Sequence, residues 1–158
     1  LASSAASDVY KRQTQQTIQH FINDGIPSTS MEALDEINWG IYEGIEHHPE
    51  MHKRYLEIIQ RWRDGELHIK IDGGESASDL FERQMPFINE VKKMEHKRIL
   101  VCSHGRSIRS LLCAMTNTPL QNMDDFSHTN TCLYKINYTN NEFEIELFNN
   151  TDHLNYEL

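Results

Sequence analysis

Between Pro49 and Arg63 the residues Met51, Tyr55, Ile58, Ile59 and Trp62 recur at helical spacing, the stripe of an amphipathic helix that Pro49 opens. A shorter stripe, Ile18, Phe21 and Ile22, predicts a helix over residues 13–24, stopped by Gly25 and Pro27. Ser76 with Asp79 three residues later reads as a capping box opening a helix that runs to Met94. Lys92 and Lys93 suit the C-terminal end of that helix, and Pro86 is placed to kink it. Period-two and continuously apolar runs predict the strands. "LHIKI" reads as a short one, and "RILVCS" as a buried one followed at once by a turn and a helix. "TCLYKINY", the turn "TNNE" and "FEIELF" read as a hairpin.

A continuously apolar strand such as "ILVC" belongs in a sheet covered on both faces and flanked by parallel neighbours. Before it the chain offers only "LHIKI", together with helices that need a sheet to pack on. The sheet is therefore expected to be short of strands on its N-terminal side.

With 158 residues the chain suits one domain. Apolar residues at 38% and charged residues at 25% describe an ordinary soluble composition, slightly polar. A formal charge of −9, with no stretch that concentrates Lys and Arg, argues against nucleic acid and anionic membranes as partners. No apolar run approaches the length of a membrane span. Cys102, Cys113 and Cys132 form no CxxC pair and no metal spacing, which fits reduced thiols in a cytoplasmic protein. The opening "LASSAASDVYKRQ" begins without Met and lacks the regions of a signal peptide. Residues 1–13 are read as a non-native leader or a join to natural sequence near Thr14, and residues 14–158 as one domain.

The junction Ser103-His104-Gly105 has a chemical logic. Ligands of open α/β sheets bind beyond the carboxyl ends of strands, and a helix N-terminus there offers free N–H groups to an anion. His104 would face that position, Gly105 would let backbone approach closely, and Arg106 and Arg109 would add positive charge in the first turn. From these residues alone His104 stands equally as a turn histidine or a site histidine. Glu36, between the apolar Leu34 and Ile37 in "LDEINWGIYEG", suits a general acid in a partly apolar setting. A solvated loop acid is the simpler account from those residues. In "EHHPEMH", His47, His48 and His52 suggest a metal, but a helix begun by Pro49 leaves His48 outside it and breaks the shared face. Ser103 beside His104 lacks a G-x-S-x-G setting, and "DGGES" lacks the ending of a P-loop.

Taken in order, "TQQT", "LDEINWGIYEG", "GGES", "ILVCSHGRSIRSLL" and "FNNTDHL" resemble the histidine phosphatase superfamily, the phosphoglycerate-mutase-like branch, from Thr14 to Leu154. The resemblance implies a three-layer α/β/α sandwich with a mostly parallel sheet, ending here in an antiparallel C-terminal hairpin. It implies phosphoryl transfer through a phosphohistidine, with no cofactor and no metal. His104 would be the second histidine at the phosphate, Glu36 the proton donor to the leaving group, and Gly105 part of the phosphate-binding turn. A phosphate-binding Arg directly precedes Thr-Gln-Gln-Thr in the family. Gln13 holds that place here and Arg12 lies one residue out of register. The Arg-His-Gly that carries the nucleophile does not occur in the 158 residues, so the first strand is expected to be missing.

The expectation is a metal-independent phosphomonoester hydrolase, given as a fragment that is itself inactive, with mutase activity also open. It would act on a small phosphorylated substrate as a monomer or homodimer. The alternative is a non-catalytic pseudophosphatase that binds phosphate or a partner. A serine hydrolase using Ser103 is the weakest reading.

Overall fold

A computed structural model describes residues 12–46, 48–95 and 98–154. Residues 12–17 are helical, and after a break at Ile18 helix α1 continues over Gln19–Asn23. The predicted stop is present, with Gly25 in the left-handed region at φ 82. Phe21 of the predicted stripe is exposed, while Ile18 and Ile22 are half-buried.

Helix α2 spans Pro49–Arg63, with Pro49 in its first turn and His48 at the N-cap. The His48 ring Nδ1 accepts from the Glu50 N–H at 3.4 Å, so His48 caps the helix from outside it. Ile58, Ile59 and Trp62 of the predicted stripe are buried, and Met51 and Tyr55 are half-buried at its end.

Helix α3 spans Ala77–Val91 and shows both halves of the capping box. Asp79 N–H donates to Ser76 Oγ at 3.1 Å, and Ser76 N–H donates to Asp79 Oδ2 at 3.0 Å. A box of this kind is worth about 1 kcal/mol. Helix α4 spans Gly105–Thr116, and ends at Asn117 in the left-handed conformation, φ 55.

Strands β1 (Leu133–Thr139) and β2 (Glu142–Asn150) form the expected antiparallel hairpin. Its two-residue turn is Asn140-Asn141, with φ of 54 and 65. That geometry matches the twist of the flanking strands, and asparagine tolerates it better than most residues. Phe143, Ile145 and Leu147 turn inward while Glu142, Glu144 and Glu146 face solvent.

Two other predicted strands are absent from the sheet. Among the described residues the sheet is two-stranded, β1 with β2, rather than the expected mostly parallel one. In "LHIKI" the alternation is real, with Leu67, Ile69 and Ile71 turned inward. Its carbonyls, however, are spent elsewhere: Trp62 Nε1–H donates to Ile69 O at 2.7 Å, and Ser78 N–H to Leu67 O at 3.1 Å. The segment is a core-packed irregular stretch, not a strand. "RILVCS" carries no regular secondary structure and, among the described residues, pairs with no strand. Ile99, Leu100 and Val101 are 42%, 56% and 39% exposed, so the apolar run is not the buried strand its composition predicts. Composition specifies that a segment wants neighbours, but a strand is completed by its partners' backbone.

The core lies in two patches. The larger joins Ile37, Ile58, Ile59, Trp62, Ile71, Leu80, Leu112 and Met123, and the smaller joins Phe87, Ile88 and Leu111. Helices α3 and α4 pack on each other, and Gln84 Nε2 crosses between them to Ser107 Oγ at 2.8 Å and Ser107 O at 3.0 Å.

Candidate active site at the start of helix α4

His104 is the N-cap of α4, in extended conformation, and its carbonyl accepts from Ile108 N–H at 2.8 Å. The first turn of α4 therefore begins directly beyond the imidazole-bearing residue, as the Ser-His-Gly pattern predicts. Glu36 comes to the same place from the other half of the chain. Its Oε1 accepts from Ser107 N–H at 3.0 Å and from its own neighbour Ile37 N–H at 3.0 Å. Its Oε2 accepts from Arg106 N–H at 3.3 Å. A carboxylate at a helix N-terminus is favoured by the unsatisfied N–H groups and the positive end of the dipole.

The loop that carries Glu36 is held by named bonds. Ser103 Oγ donates to Leu34 O at 2.7 Å, and Ser107 Oγ reaches the same carbonyl at 3.4 Å. Ser103 is thus a strut between the two motifs, which leaves a hydrolase role for it without support. Arg83 of α3 gathers the loop from behind, donating to the carbonyls of Glu32, Asp35 and Glu36. Its guanidinium is fixed by Glu75 through Nε–H to Oε1 at 2.7 Å and Nη2–H to Oε2 at 3.0 Å. Glu75 Oε2 in turn accepts from Asn38 N–H at 2.9 Å, and Glu75 N–H donates to Asn38 O at 2.7 Å. "GGES" and "LDEINWGIYEG" are one structural unit.

The glycines of that unit answer to packing. Gly40 sits at φ 59, and a Cβ there would meet Asp72 O and, at 2.5 Å, Gly74 N. A Cβ on Gly74 would meet Asn38 O at 2.6 Å. Two backbones cross where neither residue has room for a side chain.

The expected positive charge of Arg106 and Arg109 is spent inside the protein. Arg106 is 8% exposed, pairs with Asp124, and donates through Nη2 to Tyr55 Oη at 3.0 Å. Arg109 donates to Phe126 O at 2.9 Å and lies 3.8 Å from the same Asp124 carboxylate. Arg63 of α2 completes the cluster at 3.6 Å. These arginines bind helices together instead of facing an anion. Beside this cluster Trp39 is stacked on Trp62 at 5.8 Å and edge-on to Tyr55 at 5.0 Å.

Of the four expected site residues, Glu36, His104 and Gly105 meet at the start of α4. Arg12 is exposed in the helical residues 12–17 and is not among the groups that hold Glu36. The "TQQT" segment does come near the turn, since the Thr17 side chain lies close to Cys102, next to Ser103. His47 lies outside the described residues, and among those described no cluster of three His, Cys, Asp or Glu side chains has a metal-holding arrangement. No helix among them is long and apolar enough to cross a membrane. A shallow depression lined by Lys92, Asn117, Asn141 and Phe143 lies at the opposite end of α4 from His104, about 18 Å along twelve residues of helix.

Sequence reasoning missed Arg83, Asp124 and His128. Arg83 carries no local signal, because its eight-residue offset from Glu75 crosses a helix cap. His128 is revealed by Gly105: a Cβ there would meet the His128 ring at 3.4 Å.

Solved structures share this fold. The chain superposes with a TM-score of 0.74 on a putative alpha-ribazole-5'-P phosphatase from Escherichia coli, at 22% identity, covering 88% of this chain and 69% of that one. It superposes with a TM-score of 0.71 on a mycobacterial glucosyl-3-phosphoglycerate phosphatase in complex with inorganic phosphate, at 16% identity, covering 94% and 84%. These superpositions show that the chain shares the fold of those two proteins.

The chain belongs to the histidine phosphatase superfamily, whose branch 1 model matches residues 6–151. Among curated proteins it is 30% identical over 128 residues to 6-phosphofructo-2-kinase 1 of Saccharomyces cerevisiae, covering 78% of this chain and 15% of that protein. It is 28% identical over 124 residues to phosphoserine phosphatase 1 of Hydrogenobacter thermophilus, covering 78% of this chain and 58% of that protein.

Proposed function

We propose that this chain carries the acid-bearing half of a metal-independent phosphomonoesterase that works through a phosphohistidine. The observation that carries the reading is the seating of Glu36 against the first N–H groups of α4, one turn from His104. In this reading the N-terminal end of α4 and His104 balance the charge on the equatorial phosphoryl oxygens. Glu36 supplies a proton to the departing alkoxide, and after turnover returns to the helix terminus that holds it here. Arg12 and Gly105 are assigned to phosphate binding.

The attacking histidine belongs to an Arg-His-Gly strand encoded upstream of residue 14. That strand pairs with the exposed run Ile99–Val101 and completes a three-layer α/β/α sandwich, residues 14–158 forming the rest of the domain. Such a chain acts on a small phosphorylated substrate in the cytoplasm, and without the strand it is inactive. The pseudophosphatase reading has one observation in its favour: the chain's own carboxylate fills the helix terminus that an anion would otherwise occupy.

Incubation with a radiolabelled phosphomonoester separates the two. The protein extended by its natural upstream sequence is expected to form an acid-labile, base-stable phosphoprotein, and the chain alone none. Failure of the extended protein to label would favour the pseudophosphatase.

A further inference from the structure

The loop from Ser127 to Cys132, between the last turn of the helical half and β1, rests on the Ser-His-Gly turn. His128 packs against Gly105, where a Cβ would meet Cδ2 at 3.4 Å and Nε2 at 3.7 Å. On its other side the ring places Nδ1 3.5 Å from Cys132 Sγ, within hydrogen-bond reach for sulfur. With the proton on Nε2, Nδ1 is an acceptor for the thiol. Burial, then the Arg109 guanidinium, holds the His128 imidazole below its usual range, against the opposite pull of Glu36. Neutral imidazole is the form that can take a proton from a thiol.

The pair is held in place from both flanks. Thr129 N–H donates to Asn149 Oδ1 at 2.8 Å, and Asn149 Nδ2–H to Thr129 Oγ1 at 3.1 Å. His153 Nε2 lies 3.0 Å from Thr131 O, so "FNNTDHL" braces this loop. Thr131 is held at φ 59, a conformation β-branched residues rarely adopt, directly before Cys132.

The other two thiols have different surroundings. Cys113 is buried, and burial with the Asp125 and Asp124 carboxylates pushes it up to about 12. Cys102 is raised by burial, with the nearby Thr17 side chain pulling the other way. Cys132 is half-exposed and faces an imidazole.

We propose that Cys132 and His128 form a thiol–imidazole pair, a modification site for small soft electrophiles set beside the Ser-His-Gly turn. In the reaction with a haloacetamide, the thiol proton passes to His128 Nδ1 and the sulfur electron pair forms a bond to the methylene carbon. The carbon–iodine bond breaks, iodide leaves, and the imidazolium returns its proton to solvent. The pair needs only its thiol and its base, so it stands independently of the phosphatase reading.

Time-resolved peptide mapping of the full chain under limiting iodoacetamide tests it. Cys132 is expected to be alkylated at least about tenfold faster than Cys102, with Cys113 last. His128→Gln, with an unchanged circular dichroism spectrum, brings Cys132 down to the rate of Cys102, and Cys102→Ser leaves Cys132 unaffected. Cys132 reacting no faster than Cys102 in the unaltered chain overturns the proposal, whether or not the variant folds. An undiminished Cys132 rate in folded His128→Gln overturns it as well.

Discussion

Ser107 donates its backbone N–H to Glu36 Oε1 at 3.0 Å, across 71 residues of sequence. That bond, with its neighbour from Arg106, makes Glu36 a structural cap as well as a candidate acid. Glu36→Ala leaves both N–H groups without their carboxylate partner and is expected to lower stability by about 1–3 kcal/mol. Glu36→Gln keeps an acceptor oxygen and should lose clearly less. Urea unfolding of the three proteins measures this, and equal midpoints would show that the cap contributes nothing.

Arg83 acts on the same loop from behind. Arg83→Met removes the Glu75 pair and the bonds to three loop carbonyls while keeping the aliphatic stem. A loss of about 2–4 kcal/mol follows, because Glu75 is left as a partly buried charge. Double-mutant analysis with Glu75→Gln should show strong coupling; additive losses would place the two residues in separate units.

Glycine scanning separates packing from backbone freedom. Gly25→Ala meets open space and carries only the left-handed penalty, about 1 kcal/mol. Gly40→Ala adds a collision with Asp72 O and Gly74 N, and is expected to unfold the Glu36 loop or the whole chain. Thermal melting distinguishes them; similar melting temperatures would contradict the crossing described above.

Acid titration reads the capping box. The Asp79 carboxyl is held down to about 2, from 3.8, first by the Lys70 ammonium and then by the Ser76 backbone N–H. A depressed folded-state value stabilises above the unfolded one, and that contribution is lost as pH falls from about 4 toward 2. The side chain is 42% exposed, so solvent screening keeps the effect below about 1 kcal/mol. Asp79→Asn should flatten the stability slope across that window; an unchanged slope would contradict the assignment.

Helices and the hairpin were legible because their signals are local. The Pro49 start, the Ser76–Asp79 box and the Asn140-Asn141 turn each depend on residues within a few positions. The strands were not, because a ladder depends on a partner that the segment itself does not encode. Trp62 Nε1 and Ser78 N–H took the carbonyls of "LHIKI", and Ile99–Val101 are exposed and, among the described residues, without a strand partner. The site was half legible. Motif order pointed to Glu36 and the Ser-His-Gly turn, and the Glu36 carboxylate meets the first N–H groups of α4, but the direction of the Arg106 side chain was set by Asp124, 18 residues away. A charge in a helix's first turn reveals its own presence, not which neighbour will neutralise it.

In the proposed phosphatase Glu36 and His104 serve one phosphoryl-transfer site completed by an upstream Arg-His-Gly strand. Initial rates of p-nitrophenyl phosphate hydrolysis, in EDTA, by the protein carrying its natural upstream sequence test it most directly. The expected result is metal-independent turnover that His104→Ala and Glu36→Ala each reduce by at least about 100-fold. Turnover unchanged in both folded variants would contradict it.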